Sequence, residues 1–348
     1  MTTKVIKISP QSPDFSLLGE AADVICSGGL VVFPTETVYG IGADATRSEA
    51  VAKIFEAKGR PQDNPLIIHI ASAAEAEKYT YTNELYYRLA EAFMPGPLTV
   101  VLKSKENIPE STRAGLPTVA VRCPENPIAR ELIRLSGCPI AAPSANLSGS
   151  PSPTSAEHVI KDMLGRCEVI IDGGDCDFGL ESTIVKLDED GGVTLLRPGK
   201  ITVSDIEALG IGVRVADAVR NKLGEGSVAI SPGMKYRHYA PKADVLLLDG
   251  DISAFSSYVS AYQAGRKAVI AYSEDIPRVE KTNPDAHVYD FGSRGNSEAQ
   301  AHALFRILRD VDERGFDVVF APLPWDEGIG LALYNRMIRA AAYKIIKL

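Results

Sequence analysis

The segment LVVFPTETVYGIGADATRSEAVAKIFEAKGRPQDNPLIIHI, residues 30–70, contains the pattern around which the chain is organised. Its first four residues are apolar and predict a buried strand that Pro34 ends. Residues 66–70 are apolar apart from His69 and predict a second buried strand. The intervening residues are rich in hydroxyl groups, glycines and cations. Because functional side chains are often carried by loops between rigid elements, this stretch is the first candidate site.

A helix is predicted inside this segment. Thr46 and Glu49 have the spacing of a capping box, and the apolar residues after them recur on a helical period. The helix is expected to end at Lys58, Gly59 and Arg60. The two cations allow two interpretations. They stabilise the negative end of the helix dipole, or they form a cradle in which arginine supplies a planar fork and lysine a point charge for a polyphosphate.

Composition is that of an ordinary globular protein. Of its residues, 45% are hydrophobic and 24% charged. Because the chain has 348 residues, two domains are expected. The formal net charge is −8, and most of the acidic excess lies in residues 1–200. A protein dedicated to nucleic-acid binding normally has a basic excess, so any RNA contact is expected to be local or weak.

The five cysteines are widely spaced and include no C-x-x-C pair. This pattern argues against a disulfide framework and a zinc site, and it predicts free thiols in a reducing compartment. The N-terminus lacks the apolar core of a signal peptide, and no apolar run approaches the roughly 20 residues of a membrane span. These features predict a cytoplasmic protein without a membrane segment.

Strands and helices alternate irregularly through residues 1–205. Helices are predicted near residues 16–27, 72–78, 83–94, 127–136 and 154–164. Strands are predicted near 98–102, 118–121, 139–142 and 169–171, followed by a hairpin of 182–187 with 193–196. This order favours an α/β domain with a twisted mixed sheet covered by helices.

Residues 206–242 are predicted to be a linker, with a helix near 214–222. Its sequence SPGMKYRHYAP at 231–241 carries aromatic and cationic side chains without a regular period. Such a segment is either surface decoration or a lid that closes over a nucleotide.

Residues 243–348 are predicted to form a second, smaller α/β domain. Strands near 243–248, 268–271, 287–291 and 317–321 alternate with helices near 252–263, 297–314 and 327–346. This alternation predicts a small, open, Rossmann-like parallel sheet covered by helices. The turn after its first strand, at Asp249, is not a dinucleotide fingerprint, and no catalytic group of residues is evident in this domain.

Several polar residues follow predicted strands. The loop containing Ser144 and Asn146 is either an ordinary turn or a place where a phosphate approaches backbone N–H groups. No acid or histidine lies near Ser144 in sequence, which argues against a serine nucleophile. His69 has the position of a core histidine, whereas Arg122 and Arg197 are candidates to bind anions together with Arg60. Taken alone, these residues indicate an anion or nucleotide site and do not name a reaction.

In combination the motifs are more specific. PTETVYGIGADA at 34–45, KIFEAKGRPQDNPLIIHI at 53–70, FMPGPLT at 93–99, APSANLSG at 142–149 and ESTIV at 181–185 resemble the YrdC-like domain. RPG at 197–199 extends the similarity, and SPGMKYRHYAP resembles the signature of a longer, two-domain form. The chain resembles the threonylcarbamoyl-AMP synthase family over nearly its whole length, although its C-terminal domain does so more by pattern than by motif.

The resemblance implies a reaction between L-threonine, bicarbonate and ATP. The carboxylate of N-carboxythreonine attacks the α-phosphorus of ATP, threonylcarbamoyl-AMP forms and pyrophosphate leaves. Downstream threonylcarbamoyl-transferase proteins then modify the adenosine next to the anticodon of tRNAs that read ANN codons. Magnesium is expected to be carried by the ATP phosphates, since no dedicated carboxylate cage is visible.

The resemblance also implies roles for individual residues. Lys58 and Arg60 are the implied catalytic cations. ATP is expected to contact Lys58, Arg60, Asn64, Thr118, Ala142, Ser144, Asn146, Ser152, Arg197, Tyr236 and His238, the last two from the lid. L-Threonine is expected to contact Thr37, His69, Arg122, Ser182 and Thr183. No residue is expected to bind a metal directly.

Two other functions share parts of this pattern. An RNA-binding or ribosome-maturation module would use the concave face of a YrdC-like domain, but the acidic charge of residues 1–200 argues against that as the main role. A carbamoyl-adenylating hydrogenase-maturation protein would carry cysteine-rich zinc segments and an acylphosphatase-like region. Neither is present in this sequence.

Overall fold

A computed structural model describes residues 1–222, 224, 239–263 and 265–348. The chain forms two compact units, Met1–Ser148 with Ser152–Lys235 and Gly149–Pro151 with Tyr236–Leu348. The predicted lid residues Tyr236 and His238 lie outside the described residues. The predicted domain and linker boundaries at 205 and 242 stay predictions.

The first unit is a mixed α/β structure. Its strands are β1 Lys4–Lys7, β2 Val31–Phe33, β3 Gly40–Asp44, β4 Ile67–His69, β5 Thr80–Tyr81, β6 Leu98–Ser104, β7 Thr118–Arg122, β8 Ile140–Ala141, β9 Val169–Asp172, β10 Thr183–Leu187, β11 Val193–Arg197 and β12 Val213–Val215. Its helices are α1 Gly19–Cys26, α2 Ser48–Lys58, α3 Ala76–Tyr79, α4 Glu84–Phe93, α5 Glu110–Arg113, α6 Pro127–Ser136, α7 Ala156–Met163 and α8 Val203–Glu207. Short 3-10 turns cover Phe15–Leu18, Ala73–Glu75 and Asp217–Val219.

These strands form a twelve-stranded sheet among the described residues. Eleven strands lie in the order β1-β9-β2-β3-β8-β4-β7-β6-β10-β11-β12, and β5 pairs with β6. Parallel pairs such as β4–β7 and β6–β10 alternate with antiparallel pairs such as β6–β7 and β10–β11. The predicted mixed sheet and the predicted hairpin are therefore confirmed. Helices α1 and α6 pack on β1, β2 and β9 through a core that includes Leu18, Ile25, Leu132 and Ile171.

Strand β3 is absent from the sequence-based prediction, because its glycines do not resemble strand residues. It pairs in antiparallel register with β2 and with β8. A Cβ atom at Gly42 would lie 2.5 Å from the Ile140 side chain and 2.7 Å from the Phe33 ring. The glycine is therefore required by close packing inside the sheet rather than by a turn.

Two local predictions in the first unit are wrong. Helix α2 begins at Ser48 with Arg47 as its N-cap, and Thr46 donates its hydroxyl to Asp44 Oδ1 at 2.7 Å instead of capping the helix. The capping box that the described structure does contain joins Thr202 and Asp205 at the start of α8. The helix predicted near 214–222 is absent from the described residues, because the alternating valines of β12 pair with β11 and a 3-10 turn follows.

The second unit contains a five-stranded parallel sheet with helices. Its strands are β13 Asp244–Asp249, β14 Lys267–Ala271, β15 His287–Asp290, β16 Val318–Pro322 and β17 Ile345–Lys347, in the order β15-β14-β16-β13-β17. Its helices are α9 Ile252–Ala261, α10 Ile276–Thr282, α11 Ser297–Arg314 and α12 Gly328–Ala340. The predicted open parallel sheet is confirmed by the register of these strands.

The last helix is shorter than predicted. Helix α12 ends at Ala340, and positive φ angles at Ala342 and Tyr343 turn the chain back. The segment predicted to be its final turns becomes β17, which pairs with β13. Helix α10 is a further element that the sequence pattern does not predict.

Candidate functional site

Three neighbouring strands of the first unit place polar side chains in one row. His69 at the end of β4 pairs with Arg122 at the end of β7, and Arg122 pairs with Thr99 on β6. Side chains of paired residues lie on the same face of a sheet, about 5 Å apart. All three are buried. Polar and charged side chains are uncommon at fully buried sheet positions, so three of them in adjacent register make this row a candidate functional surface.

His69 is held in its neutral form. Its Nδ1 lies 3.3 Å from the carbonyl oxygen of Ile140, so Nδ1 carries the proton in that hydrogen bond. Burial, reinforced by the positive charge of Arg122, lowers the pKa of His69 to about 3. The backbone of Ile67 also makes a hydrogen bond to the ring. In a neutral imidazole that donates from Nδ1, Nε2 is the acceptor.

Arg122 forms a buried ion pair with Glu36, which sequence reasoning missed. Nη2 of Arg122 lies 2.6 Å from Oε1 of Glu36, and the two side chains are 5% and 6% exposed. Nε of Arg122 also makes a 3.4 Å contact with the carbonyl of Gly96. The signal available in the sequence was the single carboxylate between the two threonines of the PTET motif, immediately after a buried strand.

The loop that carries Glu36 is held from both sides. Thr37 is fully buried, and its hydroxyl lies 2.8 Å from the hydroxyl of Thr35. The Thr35 hydroxyl donates to the carbonyl of Val38. The carbonyls of Glu36 and Thr37 accept hydrogen bonds from the amides of Phe178 and Gly179. Thr37 is therefore fixed beside the segment that leads into Ser182.

Ser182 joins the row at Thr99. The two hydroxyl oxygens are 2.8 Å apart, and Arg197 donates from Nε to the Ser182 carbonyl at 3.0 Å and from Nη2 to the Ser182 hydroxyl at 3.1 Å. Thr183 is turned to another partner, because its hydroxyl donates to the carbonyl of Ile201 at 2.7 Å. The row therefore continues from His69 to a second buried arginine.

The glycine of the RPG motif allows this arrangement. A Cβ atom at Gly199 would lie 2.5 Å from the amide nitrogen of Thr183, 2.8 Å from its hydroxyl and 2.8 Å from the carbonyl of Glu181. Any side chain at this position would push against the backbone that presents Ser182. Close packing therefore explains the glycine of this motif, in addition to the contacts made by its arginine.

Lys58 lies in the last turn of α2, where its charge favours the helix dipole, but its side chain is buried rather than directed to solvent. Its Nζ donates to the carbonyl oxygens of Ser144, at 2.5 Å, and Asn146. The Ser144 hydroxyl donates to Asn146 Oδ1 at 2.5 Å. The cation of α2 thus organises the loop that follows β8, and it brings positive charge to that loop.

The opposite end of the β4–β7 pair, where the two strands begin, carries a second set of predicted residues: Arg60, Asn64, Thr118 and Ala142. Thr118 begins β7 and Arg122 ends it, so their Cα atoms are about 13 Å apart along an extended strand. Asn64 is buried just before β4, and its Oδ1 has no hydrogen-bond partner in the described part of the chain. Arg60 is partly buried, with Nη2 3.4 Å and 3.3 Å from the carbonyls of residues 64 and 65, and the amide of Ala142 donates to Ile67.

Ser152 is buried and donates its hydroxyl to Oε1 of Glu181, a second buried carboxylate that sequence reasoning missed.

The described residues contain no group of three or more histidine, cysteine, aspartate or glutamate side chains that could hold a metal ion. Within the same ranges, no helix has both the length and the apolar character needed to cross a membrane.

Comparison with known proteins gives matches to both parts of the chain. Residues 23–199 match the Sua5/YciO/YrdC family model, described as Telomere recombination. Residues 201–342 match the family model described as Threonylcarbamoyl-AMP synthase, C-terminal domain. The two matches follow the two-domain arrangement that the sequence motifs predict.

Relatives match along nearly the full length. A threonylcarbamoyl-AMP synthase of Pyrococcus abyssi is 45% identical over 94% of this chain and 94% of that protein. One of Bacillus subtilis is 43% identical over 95% of this chain and 94% of that protein. The crystal structure of P. abyssi Sua5 complexed with L-threonine is 42% identical, with a TM-score of 0.89 over 99% of this chain and 100% of that one. The chain therefore belongs to the threonylcarbamoyl-AMP synthase family, in its two-domain form.

Proposed function

We propose that this protein joins L-threonine, bicarbonate and ATP to form threonylcarbamoyl-AMP and pyrophosphate. Membership of the family and the names of its relatives support this activity. The observation that carries the proposal is the row of buried polar groups from His69 through Arg122 and Thr99 to Ser182 and Arg197.

The chemistry suits such a row. The attacking group is the carboxylate of N-carboxythreonine and the target is the α-phosphorus of a polyanion. Such a reaction requires charge neutralisation and alignment more than a protein nucleophile. Lys58, Arg122 and Arg197 supply buried positive charge, and hydrogen bonds to neighbouring backbone or side-chain groups fix their positions. Fixed charges of this kind stabilise a developing anion without reorganising during the reaction.

We assign the end of the row at His69 and Arg122 to L-threonine. The Arg122 guanidinium binds the carboxylate, and Nε2 of neutral His69 accepts a hydrogen bond from the threonine hydroxyl. Thr37 and Ser182 complete this group together with Thr183, whose hydroxyl donates to the carbonyl of Ile201 in this structure. The neutral state of His69 is suited to accepting a hydroxyl and adds no positive charge beside the substrate's amino group.

We assign the remaining residues to ATP, which is long enough to extend along the β4–β7 pair toward Asn64 and Thr118. The full ATP group is Lys58, Arg60, Asn64, Thr118, Ala142, Ser144, Asn146, Ser152 and Arg197, with Tyr236 and His238 of the linker closing over it. The contacts of Arg197 with Ser182 support a common boundary between the two groups.

ATP normally reacts as its magnesium complex, and magnesium takes ligands readily from phosphates and water. The cationic and hydroxyl side chains of the ATP group fit a magnesium ion carried by the phosphates rather than by carboxylates. Its chemistry would be neutralisation of phosphate charge. Lys58 and Arg60 contribute the same kind of neutralisation from the protein side.

The product is an unstable mixed anhydride, so it must pass to a second reaction. We propose that downstream threonylcarbamoyl-transferase proteins receive it and modify the adenosine next to the anticodon in tRNAs that read ANN codons. RNA contact with this chain itself would be local or weak, since the net charge is −8. The cytoplasmic location stays a prediction.

Pyrophosphate release tests the activity directly. The full chain with ATP and magnesium should release pyrophosphate only when L-threonine and bicarbonate are both present. Omitting either one should return release to background, and mass spectrometry should detect threonylcarbamoyl-AMP. ATP turnover indifferent to both substrates would refute the proposal.

A further inference from the structure

The ion pair between Glu36 and Arg122 leaves one carboxylate oxygen unused. Oε1 of Glu36 is 2.6 Å from Arg122, but Oε2 is buried and has no hydrogen-bond partner in the described part of the chain. A buried polar atom without a partner costs about 1–3 kcal/mol, and more when it is charged. Such an atom is normally satisfied by water or by a ligand.

Arg122 also has unused capacity. Its guanidinium carries five N–H groups, of which one on Nη2 binds Glu36 and the one on Nε approaches the carbonyl of Gly96. Nη1 makes no hydrogen bond with the residues that the structure describes. The pair therefore offers free donors and a free anionic acceptor side by side.

This combination matches one class of ligand. A zwitterionic α-amino acid carries an anionic carboxylate and a cationic amino group on the same carbon atom. The carboxylate pairs with free N–H groups of Arg122, and the amino group supplies the donor that Oε2 of Glu36 lacks. An ion pair with a purely structural purpose would instead be expected to satisfy both carboxylate oxygens within the protein.

We propose that Glu36 determines specificity for an α-amino acid substrate, because Oε2 accepts a hydrogen bond from the amino group while Oε1 holds Arg122 against the carboxylate. This inference rests on the proposed function, in which Arg122 binds L-threonine. After carboxylation the nitrogen still carries one N–H, so the contact is retained while the carbamate attacks ATP. Analogues with a hydroxyl in place of the amino group lack the positive charge that would pair with the Glu36 carboxylate.

Glu36→Gln in the full chain tests this role. The substitution keeps the shape of the side chain and removes its charge. Because a hydrogen bond to a charged group contributes about 1.5–3 kcal/mol, the KM for L-threonine should rise by about 10- to 100-fold. The KM for ATP should change by less than about twofold. Glu168→Gln is the matched control, since among the described residues the Glu168 side chain accepts a hydrogen bond from the amide of Leu30 alone. Its kinetics should equal those of the wild type.

A second measurement separates recognition from structural support. The 2-hydroxy analogue of L-threonine, 2,3-dihydroxybutanoate, is compared with L-threonine by calorimetric binding to the wild type and Glu36→Gln. The wild type should prefer L-threonine by at least about tenfold, and the variant should lose most of that preference. A folded variant with unchanged preference and unchanged KM for L-threonine would overturn the proposal.

If Glu36→Gln does not fold, Glu36→Asp replaces it, because this variant retains the charge and withdraws the carboxylate. A reduced preference for L-threonine with an unchanged KM for ATP supports the role. A full preference with both KM values raised equally shows structural support only and overturns it. Failure of the proposed function would look different, because the wild type itself would then not bind L-threonine or release pyrophosphate in response to it.

Discussion

Arg197 binds Ser182 twice, through its carbonyl oxygen at 3.0 Å and through its hydroxyl at 3.1 Å. The family resemblance assigns the two residues to different substrates, Arg197 to ATP and Ser182 to L-threonine. Because the two side chains are in direct contact, we expect a change at either position to affect the other. Ser182 also touches Thr99, which pairs in the sheet with Arg122.

Arg197→Lys should therefore weaken the use of both substrates. Lysine keeps the charge but cannot reproduce the two parallel hydrogen bonds of a guanidinium. We expect the KM values for ATP and L-threonine each to rise by about tenfold, which corresponds to the loss of about one hydrogen bond to a charged group. Steady-state pyrophosphate release, with each substrate varied in turn, measures both values. A change confined to ATP would show that the contact with Ser182 does not couple the two groups.

Gly199→Ala should reduce activity by displacing backbone. Its added Cβ would lie 2.5 Å from the amide of Thr183, and that backbone presents Ser182. We expect kcat/KM for L-threonine to fall by at least about tenfold, since small displacements of binding groups are costly. Gly19→Ala is the control, because a Cβ there meets no atom within 4 Å and its φ is −54°. Equal activity of both variants would contradict the packing argument.

Lys58→Met should disrupt the loop after β8. The substitution removes the donor that binds the carbonyls of Ser144 and Asn146, and it leaves two acceptors without their buried partner. We expect activity to fall by at least about 100-fold and the thermal midpoint to fall by several degrees. Lys53→Met on the same helix is the control, since Lys53 is exposed and binds only the Gly28 carbonyl among the described residues. Near-normal activity of Lys58→Met would show that its charge is not used.

Stability should decrease in mild acid because of His69. Its pKa is about 3 in the folded protein and 6.5 in the unfolded chain, so the unfolded chain binds a proton first as the pH falls. The contribution of neutral His69 is fully present above pH 6.5 and is lost between pH 6.5 and 3. By pH 5 the loss is about 2 kcal/mol. Urea unfolding at pH 7.5 and 5.0 should show a smaller decrease for His69→Gln than for the wild type, and equal decreases would contradict the assignment.

Much of the fold could be predicted from local patterns. The α/β class, the mixed sheet, the hairpin of β10 with β11 and the C-terminal parallel sheet are confirmed, and so is the family. These features depend on apolar periodicity and turn residues, which are visible over short stretches of sequence. The errors occurred where tertiary contacts decide the outcome. Gly42 lies in a strand because β3 pairs with β2 and β8, and it is a glycine because Phe33 and Ile140 leave no room for a Cβ atom. No local pattern reveals either fact.

In the site, too, local patterns identified candidate residues, whereas their contacts could not be predicted. The motifs identified Lys58, Arg122 and Ser182 as candidates, but their neighbours come from distant parts of the chain. Glu36 and Arg122 are 86 residues apart, as are Lys58 and the carbonyl of Ser144. A sequence pattern cannot reveal which carboxylate pairs with which arginine at that separation, so in the sequence Glu36 is only one polar residue in a loop.

The pairing of β1 with β9 has a consequence for the order of assembly during synthesis. Lys4 is opposite Val169, and β2 also pairs with β9, so two of the earliest strands share a partner that the ribosome makes much later. At ordinary translation rates that interval is on the order of ten seconds or more. During that interval the edges of β1 and β2 that face β9 have no partner, so we expect this part of the sheet to be completed late and slowly.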